Sequence, residues 1–126
     1  MPKSAPPAPR GPRPVGPYSV VTEANGFVFI SGQVAFDPAT QERDDATVAA
    51  EATRIMRNLG MILEDLDLGY DDVVKTTIFL TDMAEFAAVN EVYGGYFTGA
   101  PPARSTVQVA ALPVGFRVEI ECIAAR

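Results

Sequence analysis

Arg104 is the residue in this 126-residue chain whose type and setting most invite chemistry. It lies in Pro101-Pro102-Ala103-Arg104-Ser105-Thr106-Val107, where two prolines stop a helical segment and the arginine follows at the mouth of a strand. A guanidinium fixed at the start of an ordered element presents a planar fork whose N–H donors match the two oxygens of a carboxylate. Arg104 is therefore a candidate carboxylate anchor. The plainer reading is a solvated arginine at a strand end, and the rest of the chain has to decide between the two.

The absences bound what else can take part. There is no histidine and a single cysteine, Cys122, so no Ser-His-Asp or Cys-His machinery, no His-ligated metal, no Cys-rich zinc site and no intrachain disulfide can form. Chemistry must use carboxylates, hydroxyls, amides and arginine, and no metal or cofactor is expected. Ten basic residues against sixteen acidic give a net charge of -6. Arg43, Arg54, Arg57, Lys75, Arg104, Arg117 and Arg126 are scattered through the body of the sequence, without the basic patch that phosphate neutralisation needs, so no nucleic-acid partner is expected. No apolar run approaches the ~20 residues of a membrane span, so no membrane partner is expected either. One cysteine and the lack of a signal-like apolar stretch point to a cytoplasmic protein.

The elements that must position the arginine follow from periodicity. Residues 1–15 are a proline-rich extended tail of polyproline character, and 16–126 form one domain. Ser19 to Glu23 reads as a strand, Asn25-Gly26 as a hairpin turn, and Phe27 to Ile30 as the returning strand. Gly32, just after that strand, marks either a bulge or a backbone that something approaches closely. Val48, Ala52, Ile55, Leu59, Ile62 and Leu66 draw one apolar stripe along a helix capped by Asp45 or Thr47 and closed by Gly69, with Glu51 off the stripe. Val73 to Leu80 is apolar on both faces, as in the middle of a sheet. Asp82 and Glu85 form a capping box for a second helix, whose buried stripe is Phe86, Val89 and Tyr93, with Asn90 at its edge. Leu112 to Gly115 is a turn. In the last strand Phe116, Val118, Ile120, Cys122 and Ala124 take one face and Arg117, Glu119, Glu121 and Ile123 the other.

Ala103, Ser105 and Val107 are the small and apolar set of the preceding strand, and Arg104, Thr106 and Gln108 the polar set. If both apolar sets face the helices, Arg104 and Glu119 share the opposite, uncovered side of the sheet. Phe27, Phe29 and Ile123 cannot all be hidden by two helices, so self-association is the economical way to cover that side.

Several motifs in order then identify a resemblance over Val15 to Arg126: Gly16-Pro17-Tyr18-Ser19, Phe29-Ile30-Ser31-Gly32-Gln33, Val73-Val74-Lys75-Thr76-Thr77, Asp82 with Phe86-Ala87-Ala88-Val89-Asn90, Pro102-Ala103-Arg104-Ser105 and Val118-Glu119-Ile120-Glu121. The sequence resembles the RidA/YjgF family of reactive intermediate deaminases. The resemblance implies a chorismate-mutase-like α+β fold, with a mixed sheet, two helices on one face, and the strand Val73 to Leu80 between the last two strands. It also implies a homotrimer with inter-subunit sites, and hydrolysis of 2-imino acids such as 2-iminobutanoate and 2-iminopropanoate to 2-keto acids and ammonia. By position, Arg104 would hold the substrate carboxylate, Glu119 would orient or deprotonate the attacking water, and Tyr18 would place a hydroxyl near the imine. Ser31, Gly32, Asn90 and Thr106 would line the pocket; family members often carry cysteine where this chain has Thr106. A non-catalytic keto-acid-binding, regulatory or chaperone-like protein on the same scaffold is the alternative, because a fold does not fix a function.

Overall fold

The computed structural model describes residues 2–126. Five strands form one mixed sheet: β1 (Val21–Ala24), β2 (Phe27–Gln33), β3 (Val73–Leu80), β4 (Ala103–Gln108) and β5 (Val118–Ala125). Their order is β1-β2-β5-β3-β4, with β3 and β4 parallel and the other pairs antiparallel. β3 therefore lies between β5 and β4, as the resemblance implies. Two α-helices, α1 (Val48–Asp65) and α2 (Phe86–Gly94), and three short 3₁₀ turns make up the rest of the regular structure among the described residues. Neither is long and apolar enough to cross a membrane.

The β1–β2 turn uses Asn25 and Gly26 at φ 55° and 79°, the double positive-φ geometry whose twist matches the flanking strands. β1 itself starts later than the valine run suggests, at Val21, because Ser19 and Val20 serve instead as anchors: Ser31 donates its hydroxyl to the Ser19 carbonyl and its amide to that of Val20. Thr47 caps α1 by accepting from the Ala50 amide. At the other end Asp67, at φ 59°, supplies the left-handed residue, while Gly69 is extended. Gly69 is thus not the cap: the helix ends at Asp65, too early for a glycine four residues on to close it.

The core lies between the sheet and the helices. Val28, Ile30, Ile78, Leu80, Val118, Ile120, Cys122 and Ala124 point from the sheet, and Ala52, Ile55, Met56, Leu59, Ile62 and Leu63 meet them from α1. Burying such side chains contributes about 1.5–3 kcal/mol each relative to leaving them exposed. Glu51 is in this layer too, fully buried although it falls off the apolar stripe. Its carboxylate accepts from the amides of Arg117 and Val118 and pairs with the Arg117 guanidinium at 2.6 Å. The strut ties α1 to the start of β5, satisfying two backbone donors that enter the strand ahead of Glu119.

The opposite side of the sheet is uncovered. Phe27, Phe29, Val74 and Val107 stand exposed on it or at its margin, an apolar surface larger than isolated exposed residues account for. The proline-rich segment runs along the body: Ser4 pairs with Glu23 on the β1 edge, Arg10 bonds Glu64 and Asp65 of α1, and Gly11 packs on Ile62. The contact with β1 uses backbone groups that an edge strand otherwise leaves open.

Candidate functional site

Two groups of the expected residues assemble, at two separate places. The first is on β4 and α2. Phe86, Asn90 and Tyr93 recur at steps of four and three along α2, so they share one helix face. Parallel pairing sets Arg104 beside Thr76 and Thr106 beside Ile78; because Thr76 and Ile78 are buried under the helices, Arg104 and Thr106 point to the helix side as well. The Arg104 Nη1 donates to Asn90 Oδ1 at 2.7 Å, and the guanidinium carbon lies 5.1 Å from the Tyr93 ring centre and 5.5 Å from that of Phe86. Tyr93 is itself fixed by a 2.6 Å hydrogen bond with Thr76, and burial pushes its phenol up from its ordinary value. Among the described residues no carboxylate comes within ion-pair reach of Arg104. The Thr106 hydroxyl is buried beside it without a hydrogen-bond partner, an unmet requirement in a folded interior.

The second group is on the uncovered side. Between Ile30 and Gln33 the β2–β5 register slips, three steps of β2 spanning two of β5. This is a bulge, and it brings Gly32 against Glu119. A Cβ on Gly32 would lie 2.6 Å from the Glu119 Oε2, so the glycine is both bulge and close approach; the two readings of its position coincide. Glu119 and Glu121 share a cleft of about 590 Å³ with Tyr18, Ser31, Gly32, Val15, Val34, Phe36, Pro113 and Val114. The Ser31 hydroxyl, 2.7 Å from the Ser19 carbonyl, latches the segment that carries Tyr18 over this cleft. Burial, and behind it the charge of Glu121, push the Glu119 carboxyl up from its ordinary value of 4.5. A carboxyl held nearer neutrality can both take and return a proton.

The expectation that Arg104 and Glu119 share a face is therefore wrong. Glu119 pairs with Phe79, on the uncovered side, whereas Arg104 pairs with Thr76 on the helix side, and β3 separates their strands. The inference failed because both sides of this sheet carry apolar residues. Ala103, Ser105 and Val107 are exposed and extend the uncovered apolar side, so apolar character could not tell that side from the core. The expectation also missed Glu51 and Arg117, whose off-stripe carboxylate and strand-start arginine were the available signal, and the apolar lining around Val114.

The second group's carboxylate and the first group's guanidinium are the sort of pair that would bind and hydrolyse a small carboxylated substrate, were they brought together. Comparison with known proteins places the chain. Residues 9–126 match the model of the family described as Endoribonuclease L-PSP. Protein DfrA of Myxococcus xanthus is 54% identical over 117 residues, covering 91% of this chain and 89% of that protein. The 2-iminobutanoate/2-iminopropanoate deaminase of Mus musculus is 46% identical over 115 residues, covering 91% and 85%. The crystal structure of RidA from the Antarctic bacterium Psychrobacter sp. PAMC 21119 superposes with a TM-score of 0.92 at 39% identity, covering 98% and 99% of the two chains. The chain belongs to this Endoribonuclease L-PSP family, the RidA/YjgF proteins that its sequence motifs resemble.

Proposed function

We propose that the protein is a hydrolytic deaminase of 2-imino acids, such as 2-iminobutanoate and 2-iminopropanoate, and that each site is composed from two copies of the chain in a homotrimer. The observation that carries the reading is Glu119: a half-buried carboxylate with a raised pKa, set against Gly32 in an open cleft with the Tyr18 and Ser31 segment. The carboxylate clamp such a substrate needs is on the other side of the same chain's sheet, at Arg104. Phe27, Phe29 and Val107 are left exposed, an apolar face that a neighbouring copy would cover, which supports a composite site. Relatives named as 2-iminobutanoate/2-iminopropanoate deaminase support the reaction class.

The reaction asks little of the protein. A protonated imine is already electrophilic at C2, so neither a metal nor a covalent nucleophile is required, only a held carboxylate and a placed water. Arg104, with Nη1 engaged by Asn90, offers its remaining N–H donors to the substrate carboxylate. Glu119 accepts a proton from water as the oxygen bonds to C2 and the C=N π electrons pass to nitrogen. The protonated Glu119 then returns that proton to the amine and the C–N bond breaks. The carbinol O–H proton passes through the same carboxylate to the departing ammonia, so that iminium and water become 2-keto acid and ammonium. Tyr18 places a hydroxyl near the imine, while Ser31, Gly32, Asn90 and Thr106 line the pocket, the free Thr106 hydroxyl offering a hydrogen bond. A net charge of -6 disfavours RNA as a substrate for this cleft.

Coupling to a threonine dehydratase in the presence of semicarbazide, which traps free imine, tests the proposal. The native chain should accelerate keto-acid release, and Arg104→Ala or Glu119→Gln should lower that acceleration by about 10²- to 10⁴-fold. Failure of the native chain to accelerate, or equal acceleration by Arg104→Ala, overturns the deaminase reading; binding of 2-ketobutanoate without acceleration would leave a keto-acid-binding protein.

A further inference from the structure

The cleft beside Glu119 has an apolar wall that a short-chain imino acid does not need. Of the large apolar residues that the chain leaves most exposed, Val15 at 86% and Val114 at 65% both line it, and Val34, Phe36 and Pro113 extend the same wall. Phe27, Phe29 and Val107 are not part of this wall, and the wall adjoins the carboxylate.

Val114 is the unusual member. It adopts φ 48° and ψ 31°, the left-handed region that a β-branched residue occupies only under strain and that glycine or asparagine enters readily. The surroundings hold it there. Arg43 donates from Nη1 to the Val114 carbonyl at 2.7 Å and lies 3.8 Å over the Phe116 ring. Phe116 is buried with its ring edge-on to Phe36 at 5.0 Å, and Gly115 follows at φ 78°. A turn that would close more easily with glycine instead carries a valine and fixes its side chain at the mouth of the cleft. Strain held at a site rim is a pointer to function.

We propose that the site selects 2-imino acids with branched or aromatic apolar side chains over short-chain ones, and that Val114 is a residue that makes the selection. The inference rests on the deaminase reading: with C2 at Glu119, the substituent on C3 extends along the apolar wall. A methylene or two in an apolar pocket is enough for discrimination of this kind.

The test generates imines in situ with an L-amino acid oxidase from alanine, leucine and phenylalanine, and follows the protein's suppression of semicarbazone formation. The native chain should act on the leucine- or phenylalanine-derived imine about tenfold or more faster than on the alanine-derived one, in kcat/KM. Val114→Gly and Val114→Asn both suit a positive φ, so both should fold; each should reduce that ratio at least about threefold. A native preference for the alanine-derived imine, or none, overturns the selectivity while leaving the deaminase reading intact. An unchanged ratio in both variants removes Val114 from it, and so does an altered oligomeric state by light scattering with the ratio preserved. No action on any of the three imines sinks the deaminase reading, and this inference with it.

Discussion

The Arg104 group and the Glu119 group are built in opposite ways. The arginine's partners come from one stretch of chain, Phe86 to Thr106, in which a helix and the following strand are folded on each other. Its guanidinium is hydrogen-bonded to Asn90 and laid beside two rings. The carboxylate's neighbours come from Tyr18, Ser31, Gly32 and Val114, segments distant from one another in sequence, and among the described residues none donates a hydrogen bond to it. So the cation is ordered but without a counter-charge, and the acid is placed but disfavoured as an anion. On the proposed function, a carboxylated, positively charged imine and a second copy of the chain would supply what each group lacks. A substrate-free chain keeps the ordering cost low at one end and the proton affinity high at the other.

The sharpest way to break this comparison is to separate the two groups onto different chains. Arg104→Ala and Glu119→Gln should each be nearly inactive alone. Unfolded together and refolded as an equal mixture, they should regain about one native site in four, because a site shared between neighbours draws its arginine from one variant and its glutamate from the other. A site contained in one chain would regain nothing. The measurement is dehydratase-coupled turnover of the mixture against each parent, with the oligomer followed by light scattering.

A smaller effect distinguishes how the two groups are held. Gly32→Ala puts a methyl where Oε2, Cδ and Cγ of Glu119 now lie, at 2.6, 2.8 and 3.1 Å. Gly32 is not at positive φ and the obstructing atoms end a flexible side chain, so the fold should survive while Glu119 moves aside. A displacement of that size should lower kcat by about 10- to 100-fold with little change in Tm. Asn90→Ala instead frees the guanidinium without moving Glu119, and should raise KM by about tenfold with kcat largely kept. The split between kcat and KM is the readout; the same pattern from both variants would mean that the two groups do not divide the labour in this way.

How far the sequence revealed these two groups follows from the same contrast. Local patterns were legible: the Asn25-Gly26 turn, the α1 stripe and the span of β3 all depend on residues close in sequence or on their periodicity. The side of the sheet on which Arg104 lies was not. That parity is set by parallel pairing with β3, a long-range choice, and the alternation of β4 reads equally well either way when both sides of a sheet are apolar. Glu51 was missed for a related reason: a carboxylate off an apolar stripe is ordinarily solvated, and only the arrival of the Arg117 and Val118 amides from the far end of the chain accounts for its burial. The Tyr18 segment was found through its motif, but the Ser31 hydroxyl that latches it to the Ser19 carbonyl is a tertiary contact that no alternation reveals.

Glu51 and Glu119 also allow the comparison to be sharpened with one substitution made twice. Glu51 is fully buried but receives two backbone amides and a guanidinium; removing its charge as Glu51→Gln weakens those bonds and should cost about 1–3 kcal/mol of stability. Glu119→Gln should do the reverse. Because burial and Glu121 raise its value in the folded chain above 4.5, the folded state binds the proton more tightly than the unfolded one, and the ionised carboxylate opposes folding above both values. Glu119→Gln should therefore melt above the native chain at pH 7. The gap should close as pH falls through the raised value and be gone below 4.5, where both states carry the proton. Melting curves from pH 4 to 8 for both variants decide it: a Glu119→Gln chain less stable than native at pH 7 would mean that this carboxylate is held by favourable contacts, and the contrast between the two groups would fail.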